Sequence, residues 1–214
     1  SSTIAAALAA GASGVLACEE VEEARAAAAK MRPGSWVLGG ERGGMRIEGF
    51  DLGNSPWEYR AESVGGKTVV FTTTNGTRAL KRAAEVGHAE RVVVGALGNL
   101  GAVIREVVQE GKPVHVVCAG VEGGVCLEDV VCAGAFAAGI AEQTGREAVD
   151  DGARLAVGAW ERARGDLVQE LMRSQGGRNL VRIGLGADVE ACAVVDAYEV
   201  VPEMDRRTGL IVRG

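Results

Sequence analysis

Apolar positions along this chain recur at two spacings, and the two alternate. Residues 3–11 carry a helical pattern, 15–17 form a short apolar run, and "EEVEEARAAAAK" (19–30) is built from strong helix formers. "SWVLGG" (35–40) reads as a strand running into glycine, and residues 41–66 read as loop. A strand over 67–72 then leads to a helix over 76–86. Strand 91–95, helix 100–110, strand 114–118 and helix 126–143 continue the pattern. Glycine-broken helices follow, and "AVVDAYEVVPEM" and "LIVR" read as closing strands. Strand and helix in alternation predict an α/β fold, three-layered α/β/α, with a largely parallel or mixed sheet.

The pattern also repeats. "SSTIAAALAAGASGVLACEEVEEARAAAAK" and "TNGTRALKRAAEVGHAERVVVGALGNLGAVIREVVQ" share an order of hydroxyl cap, Ala-rich helix, glycine turn, strand and second helix. Two subdomains of similar topology are expected, 1–66 and 67–214. The second begins on the strand "KTVVF", and a duplication would place the counterpart before Ser1.

Composition narrows the class. With 47% hydrophobic but only 4% aromatic residues in 214, the core must be made of Val, Ala and Leu. That suits helices on a buried sheet. A net charge of −6 with no basic stripe argues against nucleic acid as a partner. No run of about 18 apolar residues is present, so no spanning helix is expected. The opening residues lack a basic stretch and do not read as a signal peptide. Five cysteines (18, 118, 126, 132, 192) without CxxC spacing suit a reduced, cytoplasmic setting. A homo-oligomer is compatible with the sequence, which does not fix its order.

Several motifs offer chemistry. "AESVGGKT" (61–68) matches a relaxed phosphate-loop pattern, but it precedes a strand where a phosphate loop must open a helix. "VVVGALGNLGAV" (92–103) places a turn from Gly95 to Gly101 before a helix. Its plain reading is a tight turn, and its functional alternative is a dinucleotide-dependent oxidoreductase. "VVFTTTNGTRAL" (69–80) sets Thr72, Thr73, Thr74 and Asn75 at a strand's C-terminal end before a helix, where open α/β sheets bind ligands. One hydroxyl would suffice as a cap. Four in a row point to an anion, with N–H groups at the helix start and Arg78 adding charge. Acids recur at similar exits: Glu41 in "GGERGG", Asp51 in "GFDLGNSP", Glu122, and Glu128 with Asp129 in "CLEDVVCAG". Such oxygen ligands suit Mg²⁺; Glu128 and Asp129 equally fit first-turn helix acids. Cys118 lacks the Cys-x5-Arg of cysteine phosphatases because position 124 is Gly, and His88 and His115 form no zinc pair.

In combination, "GGERGG", "GFDLGNSP", "TTTNGTRAL", "VCAGVEGGVCLEDVVCAG" and "DVEACAVVDAYEVVPEM" resemble the 2-phosphosulfolactate phosphatase family, across essentially the whole chain. The resemblance implies a Mg²⁺-dependent hydrolase of coenzyme M biosynthesis, cleaving 2-phosphosulfolactate to 3-sulfolactate and phosphate, on two α/β/α subdomains. It also implies an Asp- and Arg-bearing strand just before Ser1, and a site where Ser2 and Thr3 face residues 74–77. On that reading Glu41, Asp51, Glu128 and Asp129 are the catalytic and metal-binding candidates. Ser2, Thr3, Arg42, Asn54, Thr73, Thr74, Asn75, Gly76, Thr77 and Arg78 are the candidates for a substrate with three anionic groups. A phosphatase for a different anionic phosphate monoester is the nearest alternative.

Overall fold

The computed structural model describes residues 1–85, 89–148 and 150–214. In chain order the elements are α1 (Ser2–Ala9), β1 (Gly14–Cys18), α2 (Val21–Ala29), β2 (Trp36–Arg42), β3 (Met45–Arg46), a 3₁₀ turn (Pro56–Glu58), α3 (Ala61–Val64), β4 (Thr68–Thr72) and α4 (Gly76–Glu85). A second 3₁₀ turn (Leu97–Asn99) leads to α5 (Leu100–Glu110), α6 (Leu127–Thr144), α7 (Asp151–Ala163), α8 (Leu167–Arg173), α9 (Gln175–Arg182) and α10 (Gly186–Ala193). Two strands follow, β5 (Pro202–Met204) and β6 (Leu210–Arg213). The fold is α/β with a mixed sheet, as the alternation predicts.

The chain divides into two compact units, Ser1–Gly95 with Val200–Gly214, and Ala96–Glu199. The expected boundary at 66/67 therefore falls inside the first unit. There β4 pairs in parallel with both β1 and β2, so residues 1–66 do not close a sheet of their own.

The first unit holds the sheet, in the order β3-β2-β4-β1-β6-β5. β1, β4 and β2 run parallel, while β6 joins β1 antiparallel and β5 joins β6 antiparallel. β4 lies at the centre of the parallel strands, and Val69, Val70, Phe71 and Thr72 are buried, the near-continuous run expected of a strand covered on both faces. On one face Cys18, Leu38 and Val70 pack with Ala24 and Ala28 of α2 and with Phe50. The small residues of α2 allow that close approach. Ile4 to Leu8 of α1 are likewise buried.

Two predicted strands are not formed. Residues 91–95 make only an isolated bridge, Val93 to Glu203, with Val94 N donating to Pro202 O and Met204 N donating to Val92 O. The apolar alternation is real there, since Val92 and Val94 are buried, but the segment is too irregular for a ladder. Residues 114–118 form no strand and are exposed, because an apolar run becomes a strand only where a partner runs beside it. Of 193–204 only Pro202–Met204 is strand. Unit 2, among its described residues, is helical with turns, so the expected repeat of topology is not seen. His88 lies outside the described residues.

Candidate functional site

The glycines of "GGERGG" set the local geometry. A Cβ on Gly39 would meet the Tyr59 hydroxyl, and one on Gly40 (φ 147°) would stand 2.0 Å from the Thr72 carbonyl oxygen. Tyr59 is buried and donates to Gly53 O, and burial, then Glu58, raises its pKa. Gly43 (φ 61°) and Gly44 (φ 86°) form the two-residue turn between β2 and β3, a conformation that demands positive φ at both positions. Glu41 and Arg42 are thus fixed at the C-terminal end of β2, beside the C-terminal ends of β1 and β4.

Glu41 is 8% exposed. Its Oε1 accepts from Thr74 N at 2.8 Å and the Thr74 hydroxyl at 3.0 Å, and its Oε2 accepts from Gly44 N at 2.7 Å. Arg42 reaches across strand ends: Nη1 donates to Glu41 O, and Nη2 to Glu19 O at 2.9 Å and Thr72 Oγ1 at 3.0 Å. The Thr72 hydroxyl, fully buried, donates in turn to Glu19 O. Thr73 and Thr77 cap the start of α4 reciprocally: Thr77 N donates to Thr73 Oγ1, and Thr77 Oγ1 to Thr73 O. Asn75 and Arg78 make no side-chain hydrogen bond or ion pair among the described residues, and Arg78 and Gly76 are exposed.

The remaining unit 1 candidates are placed elsewhere. Asp51 Oδ2 accepts from Leu38 N, and Gly40 N donates to Leu52 O and Gly53 O, so the 50–53 loop covers the free edge of β2. Thr3 Oγ1 lies 2.6 Å from Asn54 O and 2.9 Å from Asn54 Oδ1. Thr3 with Asn54, and Thr74 with Glu41, are separate hydrogen-bonded groups; Ser2 is half-buried in the first turn of α1. An open cleft of about 510 Å³ lies over Leu16, Cys18 and Ala27, with Met204 and Arg206 on its wall. Three of its charges are engaged internally, Lys81 on Glu23 at 2.7 Å and Arg206 on Ala84 O and Ala89 O.

In unit 2, Glu128 and Asp129 both lie in the first turn of α6. Asp129 is engaged: Oδ2 accepts from Gly120 N at 2.7 Å, and its carbonyl accepts from Cys118 Sγ. That anchors the tight turn 121–124, at whose tip Glu122 sits exposed with φ 51°. Glu128 differs. Its Oε2 is sealed from solvent and has no hydrogen-bond partner among the described residues, and its Oε1 lies 2.2 Å from where a Cβ on Gly176 would stand. The first turn of α9 thus lies against this carboxylate, and Ser174, whose Oγ accepts from Gly177 N, caps it. Sequence reasoning missed this partner. The signal was present in "SQGGR", where paired glycines inside a helix contradict propensity unless something needs their space. Burial, then Glu128 and Asp129, pushes the Cys126 thiol up to about 11, and burial, then Asp129, raises Cys118. Both are neutral thiols at physiological pH, not thiolate nucleophiles.

Within unit 1 Glu41 and Asp51 accept from different donors, and within unit 2 Glu128 and Asp129 share the first turn of α6. Among the described residues no three His, Cys, Asp or Glu side chains come close enough to hold a metal. Glu41 loses most of its acceptor capacity to N–H and O–H groups, and Asp51 gives one oxygen to Leu38 N, which a loop motif in sequence does not disclose. Arg42 is likewise drawn to carbonyls and a hydroxyl. The turn from Gly95 to Gly101 also has a packing explanation. Cβ atoms on Gly98 and Gly101 would crowd Tyr198 and Asp196, and Gly101 N already donates to Asp196 Oδ1 where a pyrophosphate would sit.

The sequence model of the 2-phosphosulpholactate phosphatase family matches residues 1–207. The chain belongs to this family. A protein named "Probable 2-phosphosulfolactate phosphatase" from Gloeobacter violaceus is 41% identical over 216 aligned positions, covering 100% of this chain and 87% of that protein. One of the same name from Caldanaerobacter subterraneus is 38% identical, covering 95% and 83%, and one from Deinococcus radiodurans 43%, covering 78% and 69%. No helix among the described residues is long and apolar enough to cross a membrane.

Proposed function

We propose that the protein is a phosphoric monoester hydrolase that cleaves 2-phosphosulfolactate to 3-sulfolactate and phosphate, uses Mg²⁺, and acts in the cytoplasm in coenzyme M biosynthesis. The observation that carries this reading is the family match over residues 1–207. The geometry supports it unit by unit. In unit 1 the loop 73–77 opens α4 at the C-terminal ends of parallel strands, where helix N–H groups favour phosphate. Asn75 adds an amide, and Arg78, unlike Arg42, has its charge available for the sulfonate or carboxylate.

Mg²⁺ is commonly held by one or two carboxylates, with water and phosphate oxygens completing its shell. Glu128, with an orphaned oxygen, fits that requirement, and Asp129 has one oxygen left beside it. A cation held by these carboxylates would supply Lewis-acid chemistry. In the reaction water adds to phosphorus, the bond from phosphorus to the C2 oxygen breaks, and that oxygen leaves as the hydroxyl of 3-sulfolactate after taking a proton.

Phosphate release from 2-phosphosulfolactate is the test, measured with Mg²⁺, after EDTA, and after Mg²⁺ is restored. Turnover lost on chelation and recovered on restoration is expected. No release under any condition overturns the hydrolase reading, and undiminished turnover after EDTA overturns the metal assignment. Faster release from another phosphate monoester keeps the hydrolase and moves the substrate.

A further inference from the structure

We propose that Glu41 is a positioning residue, whose carboxylate staples the phosphate-binding loop to the β2–β3 turn; this rests on the hydrolase reading above. Three donors converge on the carboxylate within 3.0 Å: Thr74 N, the Thr74 hydroxyl and Gly44 N. A carboxylate has about four acceptor positions, so these donors leave little for a cation. Hydrogen bonds to a charged acceptor are also the strong ones, so the staple holds firmly. At 8% exposure the group is shielded from competing water.

The two segments it joins have no other hydrogen bond between them among the described residues. One is the Gly43–Gly44 turn, which two positive-φ glycines leave intrinsically adaptable. The other is the exit from β4, where Thr73 is tied to Thr77 but Thr74 reaches only Glu41. Arg42, next in sequence, does not neutralise Glu41, because its guanidinium is turned to Glu19 O and Thr72 Oγ1. Thr72 and Thr74 are thus fixed from β2 by consecutive side chains, Arg42 on one and Glu41 on the other. The consequence is a loop whose next N–H groups, at Asn75 and Gly76, are presented in a fixed direction before any anion arrives, which favours ligand binding by preorganisation.

The test uses Glu41→Gln, Thr74→Val and the double variant. Gln keeps an acceptor for Thr74 but presents either an NH₂ to the Gly44 N–H or the reverse, so one end of the staple is lost. For Glu41→Gln the expectation is a KM for 2-phosphosulfolactate raised about tenfold. Its kcat should stay within about threefold, and the Mg²⁺ concentration for half-maximal activity should be unchanged. The double variant should be no worse than Glu41→Gln alone, since both changes break one connection. A large rise in the Mg²⁺ requirement of Glu41→Gln, or full additivity with Thr74→Val, overturns the proposal. Amide hydrogen exchange reads the same staple without activity: Thr74 and Gly44 should exchange at least about tenfold faster in Glu41→Gln, with β4 amides still protected. Unchanged exchange overturns the proposal. If the wild-type protein releases no phosphate, the hydrolase reading has failed, and exchange alone upholds or overturns the staple.

Discussion

Gly40 has φ 147° and the Thr72 carbonyl oxygen 2.0 Å from where a Cβ would stand, so both conformation and space forbid a side chain there. Gly40→Ala is expected to cost about 3 kcal/mol, read from urea unfolding. Thr72→Val removes a buried hydroxyl that accepts from Arg42 and donates to Glu19 O, and should cost about 1–3 kcal/mol. Glu128 is the acid whose loss should appear in catalysis. Glu128→Gln should lower kcat about 100-fold, the equivalent of ~2.7 kcal/mol in the barrier, and raise the Mg²⁺ requirement. Thermal unfolding, which should hold when a side chain of the same shape replaces one with an unpartnered oxygen, separates this from misfolding. At this scale the sequence showed that hydroxyls and acids gather at strand exits. It could not show their division of labour. Thr72 turns into the sheet, Thr73 caps α4 and Thr74 meets Glu41, because strand and turn geometry sends adjacent side chains in different directions.

Among elements, α6 and α7 pack closely at a glycine. A Cβ on Gly134 would lie 1.9 Å from Ala156 O, whereas one on Gly158 of α7 would meet nothing within 4 Å. The two substitutions should have opposite signs. Gly134→Ala should destabilise unit 2 by about 2 kcal/mol or more through forced separation of the helices. Gly158→Ala should stabilise it by about 0.5–1 kcal/mol through reduced unfolded-state entropy. Paired chemical-denaturation curves check both. Helices such as α2, α5 and α6 were legible because their period is local, and α5 and α6 stop at the left-handed glycines Gly111 and Gly145. The strands divide by partner: β1, β2 and β4 satisfy each other and were legible. Residues 91–95 and 114–118 have the same Val-rich composition, yet no ladder forms, since pairing is a property of two segments. The antiparallel seat of β6 beside β1 was invisible for the same reason.

For the whole molecule, the buried thiols set an alkaline limit. Burial, then Glu23, pushes Cys18 from 9.0 to about 11. A pKa raised on folding means the native state holds the proton more tightly. Its stabilisation is therefore complete below pH 9 and lost as pH rises towards 11. The melting temperature should accordingly fall over that window, and less steeply in Cys18→Ala, once that variant's offset at pH 7 is subtracted. No such slope, or an equal slope in the variant, would refute the assignment to Cys18.

Val15 pairs with Ile211, and Val94 N donates to Pro202 O, so unit 1 is completed by residues that come after the whole of unit 2. Translation imposes a schedule on such a chain. As it leaves the ribosome, α6 and α7 can pack while the flank of β1 still lacks its neighbour, and the sheet closes only once β6 has emerged. During that interval β1 presents an uncovered row of N–H and C=O groups, the condition under which strands pair with the wrong partner. Nascent chains stalled before residue 210 should therefore be the ones that chaperones hold longest.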